Sequence, residues 1–125
     1  MNTDHDRPAR PHEVHLPVGE VTDLAALGEL LLADARSANS GRAARTVVAL
    51  PGLRVTLIAL ATGSELAEHE APGAATLTCL TGRVTLGTAD RAWPLGRGDI
   101  VAVPDRRHRL TAETDAAVLL TVRLA

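Results

Sequence analysis

Two periodicities divide the chain. Between residues 21 and 41, Leu24, Leu27, Leu31 and Ala35 recur three and four positions apart, which stacks them on one helical face. Thr22 suits an N-cap, Asp23 suits the positive end of a helix dipole, and Gly41 suits a stop. The pattern therefore predicts one helix within 21–41. From residue 42 onward the apolar positions regroup into short runs rich in Val, Leu, Ile and Thr, at 46–50, 54–61, 76–80, 84–88, 100–103, 109–112 and 117–124. Turn signals separate them: Pro51-Gly52, Thr62-Gly63, Pro72-Gly73, Thr81-Gly82, Ala89-Asp90, the Gly96 to Gly98 stretch and Pro104-Asp105. Short strands at such regular spacing predict an all-β sandwich or barrel over residues 42–125. With no second helical pattern between them, a parallel βαβ arrangement is disfavoured. Residues 1–20 contain Pro8, Pro11 and Pro17 among several charges and read as an extended tail. Within it, Val14, Leu16 and Val18 alternate with His15 and Pro17, a pattern suited to an edge strand laid on another element.

Composition narrows the function classes. A chain of 125 residues with 46% apolar residues fits one folded domain with a modest core. Its 13 basic residues are all arginine, its acidic residues number 15, and the net charge of −2 argues against a basic nucleic-acid surface. Trp93 is the only aromatic residue, so no base-stacking platform can be built. The absence of lysine removes Schiff-base chemistry. No apolar stretch approaches the ~20 residues of a membrane helix, and the N-terminal residues carry no apolar core of a secretory signal. The single cysteine, Cys79, cannot form an internal disulfide and reads as a small core residue, with a reducing cytoplasm as the expected compartment. There is no nucleophile-elbow, phosphate-loop or Cys-x-x-Cys motif.

One constellation carries more. The run from Gly63 through His69 and Ala71, followed by Ala75 and Gly82, resembles the first motif of the cupins: glycine, five residues, His-x-His, three or four residues, Glu, six residues, glycine. The run from Gly98 through Pro104 to His108 resembles the second, in which a glycine, a proline and a histidine follow one another. Fifteen residues separate Gly82 from Gly98, and the resemblance covers about residues 45–124. It implies a small single-domain cupin: a double-stranded β-helix, or jelly-roll barrel, with one N-terminal helix, assembled as a homodimer. It also implies left-handed backbone at Gly63, Gly82 and Gly98.

In the metal-binding members, two histidines and a glutamate of the first motif join one histidine of the second. Here His69 and His108 occupy two of those places, Ala71 stands at the second histidine and Ala75 at the glutamate. The step from Pro104 to His108 is also a residue shorter than the common form. If His69 points into the barrel, Ala67 and Ala71 share its face, and Glu68 and Glu70 take the other. The expected ligand pocket is thus His69, Ala71, Ala75 and His108, an apolar cavity widened by two methyl side chains and fitted to a small molecule. The cofactor is either none or one loosely held divalent ion (iron, zinc, nickel or manganese) on His69 and His108. Three readings follow: a small-molecule-binding cupin; a metal-dependent dioxygenase, isomerase or cyclase using His69 and His108; and a scaffold that binds another protein. None calls for nucleic acid or a membrane.

The remaining candidates have simpler readings. His12 and His15 are spaced for zinc on a helix but lie beside prolines, as a solvated tail. Arg106, Arg107 and Arg109 flank His108; they read as a solvated loop, with attraction of an anion to the barrel mouth as the alternative. Trp93 reads as a packing or interface residue, and Asp99 as a partner for turn amides. The leucine face of the helix packs either on its own sheet or on a dimer partner.

Overall fold

The structure is a computed structural model that describes residues 18–68 and 73–124. The segment containing His12 and His15 and the stretch containing His69, Glu70 and Ala71 lie outside the described residues. One helix, α1 (Leu24–Ser37), precedes nine strands: β1 (Arg42–Leu50), β2 (Leu53–Leu60), β3 (Glu65–Glu68), β4 (Ala75–Thr81), β5 (Val84–Gly87), β6 (Ala92–Leu95), β7 (Ile100–Ala102), β8 (His108–Ala112) and β9 (Ala116–Arg123). Among them, β1-β2-β9-β4-β7 form one antiparallel sheet and β3-β8-β5-β6 a second. These are the two walls of a jelly roll, as the cupin resemblance implies.

The helix begins one residue later than Thr22 suggests. Asp23 is the N-cap: its backbone is extended and its carboxylate accepts from the Ala26 N–H at 3.1 Å, three residues on. It also ends before Gly41. Ala38 caps it, donating to the Ala35 carbonyl at 3.2 Å. Gly41 belongs to the turn into β1, where a Cβ would come within 2.8 Å of the Ser64 side chain. The apolar stripe packs on the helix's own sheet: Leu31 and Ala35 are buried against Leu57, Ala59 and Ala117, with Leu24 and Leu27 beside them. Gly28 faces Ala117 across this contact, where a Cβ would stand at an ordinary packing distance of 3.8 Å.

This cover explains why Leu57, Ile58, Ala59 and Leu60 are all buried. Leu57 and Ala59 face the helix, while Ile58 and Leu60 face the space between the sheets. That interior is aliphatic. Leu77 and Cys79 from β4, Val84 and Leu86 from β5, Leu110 and Ala112 from β8 and Val118 from β9 fill it, with Trp93 half-buried at its margin. A hydrogen-bonded clasp joins helix to barrel. Arg36 donates to one oxygen of Asp115 at 2.7 and 2.9 Å, and the backbone and hydroxyl of Thr62 donate to the other at 2.9 and 3.0 Å.

The three motif glycines have positive φ, 83° at Gly63, 78° at Gly82 and 87° at Gly98. Asp99 accepts from the Gly96 amide at 2.8 Å, the turn role its position suggests. β6 was not among the predicted runs, because Pro94 breaks its pattern. Proline is accommodated since β6 is an edge strand, with β5 on one side only. Among the described residues no helix is long and apolar enough to cross a membrane.

Candidate functional site

The site grows from the alternation of β8. His108, Leu110 and Ala112 are buried, whereas Arg109 and Thr111 point away from the core. On β5, Val84 and Leu86 enter the core and Thr85 and Gly87 turn out. β3 follows the same rule: Leu66 packs against the core and Ala67 is exposed. Ala67 is therefore on the outer face of the four-stranded sheet, not inside the barrel where a face shared with an inward His69 would have put it. Leu66 has more apolar surface to bury than Ala67, and the strand period of two then fixes its neighbour. In register, the residue opposite His108 is Glu68.

Four outward positions fall in one row across this sheet. Ala67 pairs with Arg109, Arg109 with Gly87, and Gly87 with Ala92. Three of the four have a methyl group or nothing, so a trough runs beside the one long side chain. In the next row out, Thr111 and Thr85 stand opposite each other. Thr88, Ala89 and Arg91 on the β5–β6 connection, and Arg107 before β8, raise the walls, and His108 contributes at the end. The groove has a volume of about 600 Å³, within the ordinary range for small-molecule sites.

Its charge is one-sided. Among the described residues Arg91, Arg107 and Arg109 line it and no carboxylate does. The Arg91 guanidinium lies over the Trp93 ring at 4.9 Å from its centre. Glu65 is 3.9 Å from Arg109, too far for a hydrogen bond, and Asp90 is taken up by Arg106 at 3.5 Å and the Thr88 hydroxyl at 3.0 Å. His108 is 7% exposed, and its Nδ1 lies 2.8 Å from the Arg106 carbonyl oxygen. A carbonyl can only accept, so Nδ1 donates this bond.

Of the residues singled out from the sequence, Arg107, His108 and Arg109 line this groove. Ala75 is buried on the inner face of β4 and does not line it. His69 and Ala71 are outside the described residues. Thr85, Gly87, Arg91 and Ala92 drew no attention in the sequence, because only strand register makes them neighbours of His108 and Arg109. Cys79 is a core residue: burial, then the charge of Asp99, push its thiol up from the usual range. As for the metal that the cupin motifs imply, no three His, Cys, Asp or Glu side chains gather among the described residues, and Ala75 offers no donor atom. The described residues do not fit a resident ion, which would need His69 and a third ligand from beyond them.

No family model matches the chain, and no curated protein sequence does. Solved structures do resemble it. One is a conserved protein of unknown function from Streptococcus pyogenes, 22% identical over 94% of this chain and 98% of that one, with a TM-score of 0.67. Another is a cupin superfamily protein from Desulfitobacterium hafniense, 19% identical over 90% of this chain and 97% of that one, TM-score 0.69. A salicylate 1,2-dioxygenase from Pseudaminobacter salicylatoxidans is 20% identical over 77% of this chain but only 32% of its own, TM-score 0.64. These likenesses show the fold, that of a small cupin domain.

Proposed function

We propose that this cupin-fold domain is a binding protein for a small molecule, held in the groove that ends at His108. The supporting observation is the row Ala67, Arg109, Gly87 and Ala92: three minimal side chains around one arginine make a concave, donor-lined surface on a sheet face that no helix covers among the described residues. The test uses untagged protein, its thermal unfolding followed across a panel of small acids and their amides. A ligand of the native state raises the midpoint by mass action. At least one compound is expected to do so, and the effect is expected to vanish in Gly87→Val, which fills the trough. A panel without effect, or an effect that Gly87→Val leaves whole, overturns the reading.

A metal-dependent enzyme is the second reading, supported by the way the Arg106 carbonyl orients the His108 ring through Nδ1, an arrangement found behind metal-binding histidines. It would use His69 and His108. Near-stoichiometric iron, zinc, nickel or manganese in untagged protein, lost in His69→Ala, would favour it over the binding protein.

A further inference from the structure

The geometry points to the chemical class of the occupant: a small organic anion, a carboxylate carried on a compact apolar body. This rests on the groove being a binding site, as proposed above. Guanidinium groups present N–H donors in a planar fork that matches a carboxylate, and such charge-assisted bonds are the strong ones. Among the described residues the groove holds three of them and no acidic side chain. Arg107 makes no ion pair or hydrogen bond among the described residues, and the donors of Arg109 are not consumed by Glu65 at 3.9 Å. Arg91 is steadied over Trp93, so less side-chain freedom is lost when it meets a ligand. The facing hydroxyls of Thr85 and Thr111 add neutral donors along the floor. Ala67, Ala89 and Ala92 supply methyl surface for the rest of the molecule, which a bare inorganic ion would not use. The row of four strands spans roughly 14 Å at ordinary strand spacing, room for a body of one ring or a short chain.

The experiment compares acids with their uncharged amides of the same shape: benzoate with benzamide, butyrate with butanamide, glutarate with glutaramide. Each is titrated into the full chain by calorimetry at low and high sodium chloride. At least one acid is expected to bind about tenfold or more tightly than its amide, the scale of a charge-assisted hydrogen bond. Its affinity is expected to fall with salt and to drop by about the same factor in Arg107→Gln and in Arg109→Gln. Both residues are exposed, so these variants fold, which circular dichroism checks. If amides bind as well as acids, the anion inference fails and the binding-protein reading stands. If neither binds, both fail. An acid whose affinity survives both substitutions, or inorganic phosphate binding as tightly as the best acid, also overturns the inference.

Discussion

A methyl group at Gly82 would collide with the Asp115 carbonyl oxygen and come within 2.9 Å of Ala116. Both partners are backbone or short side chain, and φ is +78°, so neither space nor conformation can yield. Gly82→Ala is expected to cost about 2–4 kcal/mol in urea unfolding. Gly87 is the contrast: a Cβ there would meet nothing closer than the Arg91 carbonyl at 3.7 Å. Gly87→Val is expected to leave stability within about 1 kcal/mol, so any lost ligand effect reports the groove and not the fold. Asp115 sets a pH dependence. The Thr62 N–H, then Arg36 and the Thr62 hydroxyl, hold its carboxyl below the ordinary range. A depressed folded value contributes stability that is present above the unfolded value and lost as pH falls through the folded one. The stability gap between the protein and Asp115→Asn is therefore expected to be flat from about pH 5 to 8 and to close below about pH 4. A gap that widened in acid would contradict the clasp.

At the scale of elements, α1 depends on its cap. Asp23→Ala removes the acceptor for the Ala26 N–H and is expected to cost about 1 kcal/mol, whereas Thr22→Ala is expected to change little, both by chemical denaturation. The helix was legible because Leu24, Leu27 and Leu31 keep one period; its first residue was not, since Thr22 and Asp23 are both good caps and only geometry chooses. Most strands were legible because turn glycines and prolines bound them. β6 was hidden by Pro94, whose tolerance depends on lying at a sheet edge, a fact of topology. The phase of β3 was not legible, because the sequence ties Ala67 only to the direction of His69; packing of the partly buried Leu66 against the core turns Ala67 out.

For the molecule as a whole, the strand spacing made an all-β sandwich or barrel readable, and the resemblance of the two glycine-bearing runs to the cupin motifs implied the jelly roll. The candidate site was only half readable. His108 and its arginine neighbours are contiguous in sequence, but Gly87, Ala92 and Ala67 join them through the pairing of four strands. The homodimer that the cupin resemblance implies remains an expectation, which sedimentation equilibrium tests by mass. The central claim is that ligand binds outside the barrel wall. Backbone amide chemical shifts, recorded while the tightest small acid is titrated in, test it most directly. The account predicts movements at Ala67, Thr85, Gly87, Arg109 and Thr111, on one face of one sheet. Movements confined to Ala75, Leu77 and Leu110 would place the ligand between the sheets and contradict it.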